Sequence, residues 1–232
     1  MSAPGHETAL PWLRTGTAAV RAAVAGLDDA AAREPSALPG WTRGHVVTHL
    51  ARNADALVNL LTWARTGEER PMYASPEQRT ADIEEGAGRP AGILAKDLDA
   101  AGDRLDAALA ALPGAAWEAP VRTAQGRTVA ASVVPWMRVR ELWIHAVDLR
   151  AGVALGDLPP DLVDALLDEV TATFTARGGA PAVVLAPMDR DRTWRIGVDD
   201  GVATLRAPAA DLLGWLTGRA PLDGAPAVPP WL

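Results

Sequence analysis

Apolar residues recur at helical spacing through most of the first two thirds of the chain. Leu10, Leu13, Val20, Val24 and Leu27 fall on one face of a helix expected over residues 8–28. The loop "LPGWT" follows, and Thr42 is placed to N-cap a second helix over about 43–65. The stretch "RTGEERPMYASPEQRT" interrupts the periodicity with Gly67, Pro71 and Pro76 and is expected to be a long connection. A third helix is expected over about 90–111, with Ile93, Leu94, Leu98, Leu105 and Leu109 inward. After a turn at "AQGRT", a fourth covers about 129–151. Pro135 lies inside that span, either at the first helical position or at a kink near the start.

The pattern changes after Gly152. "LPPDLVDALLDEVTATFTARGG" is a further amphipathic helix ended by a glycine pair. Three short β-like runs come next: "AVVLAP", "TWRIGV" and "VATLRA". The last two flank "DDG", a hairpin signal. A short helix, "PAADLLGWLTGRA", precedes a Pro-rich tail. Four long helices favour a bundle, with ligand or metal sites available between facing helices. The expected class is α+β. Residues 1–152 are expected to form a four-helix-bundle metal-binding domain and residues 153–232 a small α+β domain. No internal repeat is present.

Composition narrows the chemistry. A chain of 232 residues can bury a real core in one large domain or two small ones. No run of 18 apolar residues occurs, so no membrane-spanning helix is expected. "MSAPGHETALPW" has neither a basic n-region nor an apolar h-region, which points to a cytoplasmic protein. A net charge of −7 argues against a nucleic-acid partner. Cysteine is absent, which excludes disulfides, thiolate metal ligands and a cysteine nucleophile. Any thiol in the chemistry must arrive from outside.

The chain has four histidines: His6, His45, His49 and His145. His6 falls at an N-terminus expected to fray. His45 and His49 are four apart on the second helix, and Glu141 and His145 four apart on the fourth, so each pair shares a face. Two facing helices can thus bring His, His, Glu and His to one point. Catalytic zinc sites commonly use three such N/O ligands and leave one position open. The plainer alternative is also consistent. Arg138, Glu141, His145 and Asp148 form one stripe, and a stripe of mixed charge is usually a solvated face. His45 can be a first-turn residue and His49 a buried histidine bonded to a carbonyl. Arg219, in "TGRA", can be a cation at a helix C-terminus or an anion clamp.

Several longer stretches carry a resemblance. "LPGWTRGHVVTHLARNADAL", "NLLTWARTGEERPMYASPEQR", "AQGRTVAASVVPWMRVRELWIHAVDL" and the closing "PPWL" resemble the mycothiol-dependent maleylpyruvate isomerases, within the DinB-like metalloenzyme superfamily. The likeness is densest over residues 39–80 and 124–149 and looser between 153 and 230. It implies a DinB-like four-helix bundle followed by a small C-terminal α/β domain. It implies a divalent metal, usually zinc, on His49, Glu141 and His145, with His45 matching a family position that is not a ligand. It implies a role in the active site for Arg219, on a looser local match. The implied activity is cis–trans isomerisation of maleylpyruvate to fumarylpyruvate in gentisate-type aromatic degradation, with mycothiol as the external thiol. The alternative is a mycothiol S-transferase acting on another electrophile. A helical zinc-binding regulatory protein is a third class, disfavoured by the absence of cysteine. The implied partners are the two small molecules, with no nucleic acid and no membrane, and a monomer is the expectation set beside them, which neither the sequence nor the resemblance decides.

Overall fold

The second helix begins at its expected cap. The Thr42 hydroxyl accepts from the His45 backbone N–H, and His45 Nδ1 accepts from the Thr42 N–H at 3.1 Å. This reciprocal pair satisfies two donors that a helix start otherwise leaves open. In a computed structural model of the chain, which describes residues 3–197 and 202–231, this helix is central to the first of two compact units. One unit is Pro4–Val153, and the other is the segment from Ala154 onward, to which Ala3 is also assigned.

The first unit contains α1 (His6–Ala25), α2 (Asp29–Arg33), α3 (Arg43–Thr66), α4 (Pro76–Ala87), α5 (Ala91–Ala110) and α6 (Val134–Asp148). The four long helices form the bundle, with α3 packed against α5, α4 and α6, and α1 against α6. Leu50, Leu57, Leu60 and Leu61 of α3 meet a core that includes Val20, Leu98, Trp136 and Leu142, all buried. The expected inward stripe of α5 holds for Leu94, Leu98, Leu105 and Leu109, but Ile93 is 46% exposed. It precedes Leu94 by one residue, about 100° of helical rotation, and so turns off the stripe. His6 is not frayed: it opens α1, and its ring stacks on Trp117 at 4.2 Å.

Two local expectations are corrected. The segment expected to be a long connection contains α4. Ser75 caps it and Pro76 occupies its first turn, where a missing N–H costs nothing. The turn "AQGRT" lies between two strands, β1 (Pro120–Arg122) and β2 (Thr128–Ala130), paired antiparallel with Val121 opposite Val129. The fourth long helix therefore starts at Val134 rather than near 129, with Pro135 in its first turn and not at a kink.

Two glycines seat α4 against α3. A Cβ on Gly44 would come within 2.3 Å of the Ala87 carbonyl oxygen, and one on Gly86 within 2.4 Å of Thr48 Cγ2. Only glycine permits this approach of the two helices.

The second unit holds α7 (Pro160–Arg177), the strands β3 (Val183–Leu185), β4 (Trp194–Ile196) and β5 (Ala203–Leu205), and α8 (Ala209–Thr217). The expected β4–β5 hairpin is not formed. β3 is the middle strand, antiparallel to β4 and parallel to β5, with Leu185 opposite both Trp194 and Leu205. The most apolar run takes the centre, while β4 with exposed Arg195 and β5 with exposed Ala203 and Thr204 take the edges. The "DDG" stretch itself lies outside the described residues. Among those residues no helix is long and apolar enough to cross a membrane.

Candidate metal centre

α3 and α6 run side by side, and each turns polar groups toward the other from an otherwise apolar interface. His49 Nε2 lies 2.8 Å from Glu141 Oε2, and His145 Nε2 lies 3.3 Å from the same oxygen. The two imidazoles meet edge to face, with centroids 4.8 Å apart. One ligand atom from each of the three residues falls within 4.8 Å of the others. Around a tetrahedral zinc with bonds of about 2.05 Å, ligand atoms are separated by roughly 3.3 Å. The His145–Glu141 spacing matches that value, and the His49–Glu141 spacing needs to open by about half an ångström. The donor set, two imidazoles and one carboxylate, suits a divalent ion of zinc's character.

The surroundings orient these donors. Asp148, buried one turn beyond His145, lies 2.8 Å from His145 Nδ1. A carboxylate there holds the proton on Nδ1, so that the nitrogen a metal would take is Nε2, which faces Glu141 and His49, the arrangement that metal-binding histidines commonly use. Burial would raise the Glu141 carboxyl, but hydrogen bonds from His145 and His49 and the charges of both rings hold it well below its usual range. Burial would lower His145, yet Asp148 and Glu141 outweigh it and raise the imidazole. Burial dominates at His49 and lowers it, despite Glu141. Trp41 lies against the His49 ring, with centroids 5.6 Å apart.

A chain of polar contacts extends from the triad into the bundle. Arg79 of α4 approaches His49 Nδ1 to 3.2 Å through Nη2. The Arg79 guanidinium also lies over the Tyr73 ring, 5.5 Å from its centroid, and burial raises the Tyr73 hydroxyl. Asn53 Oδ1 accepts from Arg138 Nη1 at 2.8 Å, and the same nitrogen donates to the Leu50 carbonyl at 2.7 Å. Arg138 is only 3% exposed. Burial lowers its guanidinium to about 10, so it stays charged at neutral pH.

The stripe Arg138, Glu141, His145 and Asp148 is therefore not a solvated face. It looks into the bundle, and its polar groups are paired there, which is the condition under which charges are buried at all. His45 does not join the triad. Its Nδ1 serves the α3 cap, and its Nε2 lies 3.3 Å from Glu84. In the second unit, α8 ends at Gly218, whose φ is 73°, and Arg219 Nη1 donates to the Thr217 carbonyl at 2.6 Å.

Asp148 falls on the sequence stripe with no role apparent from its spacing alone. The signal for that role was available in the three-residue step from a candidate ligand histidine to a carboxylate. Arg79, Tyr73 and Asn53 were missed. Two of them lie in the segment taken for a connection, where no periodicity points to a site.

Two outcomes follow for metal loading. Asp148→Asn is expected to leave the bundle folded and to weaken divalent-metal affinity by about 10–100-fold, read by competition titration with a chromogenic chelator. Acidification is expected to weaken affinity as well. His145 is raised in the metal-free site, so a proton competes for it at higher pH than for a free imidazole, while His49, lowered, stays neutral further into acid. Titrations at a series of pH values from neutral to mildly acidic check the sign.

The model of the mycothiol maleylpyruvate isomerase N-terminal domain matches residues 13–150, and that of the corresponding C-terminal domain matches residues 157–229. The chain belongs to this family. Two solved structures are similar over the whole of both chains with a TM-score of 0.92. One is a mycothiol-dependent maleylpyruvate isomerase at 36% identity, and the other a histidine-to-alanine variant of such an enzyme at 35%. No curated protein matches the chain.

Proposed function

We propose that the chain is a metal- and mycothiol-dependent cis–trans isomerase that converts maleylpyruvate to fumarylpyruvate, with His49, Glu141 and His145 as the metal ligands. The observation that carries this is the meeting of these three residues between α3 and α6 in a chain similar along its full length to such an isomerase. It is proposed to act in the cytoplasm, and since all three ligands come from one polypeptide the metal site needs no second chain to complete it.

Bound there, a divalent ion would supply the positive charge that keeps an incoming thiol ionised at neutral pH. Mycothiol would supply the nucleophile, whose addition to the alkene and later loss leave a single bond free to turn in between. The chain's own residues do the rest. Asp148 fixes the His145 ring, Glu141 contributes the one anionic ligand, and the Trp41 ring shields one side of His49 from water.

Arg219 is proposed to pair with a substrate carboxylate or with the enolate that develops as the thiol adds, because a planar guanidinium matches both. Such a charge-assisted contact contributes about 1.5–3 kcal/mol, so its loss in the transition state slows the reaction by roughly one to two orders of magnitude. Arg219→Ala is expected to keep the fold and the metal while kcat/KM falls by that factor, and Arg219→Lys to recover little. Unchanged kcat/KM in Arg219→Ala would leave this residue as a helix-end cation. The function itself is tested by following maleylpyruvate absorbance with the zinc-loaded protein and mycothiol. No rate above the protein-free control would overturn the reading.

A further inference from the structure

Arg79 occupies an unusual position for a cation. It lies against a residue of a proposed metal site, yet among the described residues it has no carboxylate within ion-pair distance. Its contacts are His49 Nδ1 and the phenol of Tyr73, whose ring centroid is 5.5 Å from the guanidinium carbon. The acidic groups nearby are engaged elsewhere: Asp55 with Arg52 and Arg104, and Asp82 with Gln78. Arg79 and Tyr73 also line two cavities on the α4 side of the bundle, of about 290 and 390 Å³. The larger is walled by Trp63, Pro71 and Met72, and its other guanidinium, Arg122, already faces Glu69 at 3.6 Å.

The contact with His49 has a direction. A guanidinium only donates, so Nδ1 must accept, and the ring proton sits on Nε2, where it bonds Glu141. A metal taken by Nε2 needs that lone pair free, which moves the proton to Nδ1. Arg79 would then point a donor at a donor 3.2 Å away. Metal loading and the Arg79–His49 bond are thus mutually exclusive.

Charge counting points the same way. In the network linked to the triad, Glu141 and Asp148 carry two negative charges, and Arg79 and Arg138 two positive ones. A divalent ion adds two positive charges. Balance requires two more negative charges, and a thiolate provides one of them.

We infer that Arg79 leaves His49 when the metal binds and becomes a binding residue for a carboxylate of the substrate, presented on the cavity side of α4. The assignment rests on the isomerase reading for the identity of the substrate, but the chemistry it names is that of any small dicarboxylate. In the metal-free protein Arg79 holds His49 in the wrong tautomer for zinc. In the loaded protein it supplies a cation with no protein counter-ion. One residue thereby opposes metal loading and favours substrate binding, two effects of opposite sign that simple damage to packing does not produce.

The test uses the full chain and two variants, Arg79→Met and Arg79→Lys, with unchanged melting as the check on folding. Cobalt(II) is titrated into metal-free protein without thiol or substrate. Succinate, a dicarboxylate that cannot isomerise, is then titrated into the zinc-loaded protein. Arg79→Met is expected to bind cobalt about tenfold more tightly than the parent and succinate at least about tenfold more weakly. Arg79→Lys is expected to retain part of the succinate binding through its charge. Cobalt affinity that is unchanged or weaker in Arg79→Met, or succinate binding equal to the parent's, would overturn the inference. Neither titration depends on turnover, so a parent protein inactive on maleylpyruvate would sink the isomerase reading alone.

Discussion

Glu141→Gln is expected to leave the protein without bound metal after ordinary purification and to lower kcat/KM by about a thousandfold or more. The argument is electrostatic. Glu141 is the only anion among the three proposed ligands, and both imidazoles converge on the same one of its oxygens, Oε2. An amide removes the negative charge that draws a divalent ion into a site already bordered by two guanidiniums. His49→Ala and His145→Ala are expected to do the same, because each leaves two donors where a catalytic site commonly has three. His45→Ala is expected to keep its metal, since that ring serves the start of α3. Elemental analysis of the four variants, with thermal melts to confirm folding, checks this. Stoichiometric metal in all three ligand variants would show that the ion binds elsewhere, and loss of metal from His45→Ala would point to a four-ligand site.

Rigorous removal of small thiols is expected to reduce turnover to the solution background, whatever the metal content. The chain contains no cysteine, so no sulfur nucleophile can come from within. Restoring mycothiol should restore the rate, and its pH profile should rise as the thiol ionises. That rise is expected well below the roughly 8.5 of a free cysteine thiol, because an adjacent cation favours the thiolate. Turnover that survives thiol removal would require a nucleophile from water or from a carboxylate of the chain.

The long helices and their meeting point were legible in the sequence because periodicity is a local signal. Four-residue spacing permitted His45 and His49 on one helix to face Glu141 and His145 on another, and the choice of His49 over His45 came from the family resemblance. Whether the faces looked inward or outward was not decided by spacing. Arg138 reads as a surface charge until its partners are known, and these are a carbonyl and an amide 88 and 85 residues away. The same limit hid the α3–α4 contact. Gly44 and Gly86 look like helix breakers in a list of residues, yet each marks a place where another helix passes at van der Waals distance. α4 was missed because Pro71 and Pro76 were read as interruptions, although Pro76 following Ser75 is a helix start. β4 and β5 were read as partners because they are neighbours in the chain. The apolar run of β3 competes for both, and a sheet of three short strands places its most apolar one in the middle.

The central claim is that the thiol acts as a catalyst and is returned unchanged, which separates an isomerase from a transferase on the same scaffold. The most direct test is a mass balance. Zinc-loaded protein is given maleylpyruvate in large excess over mycothiol, and fumarylpyruvate and free mycothiol are both quantified by NMR at completion. All the maleylpyruvate is expected to become fumarylpyruvate, with the mycothiol recovered in full. Conversion that stops after one equivalent of mycothiol, with the thiol recovered as a stable S-conjugate, would contradict it.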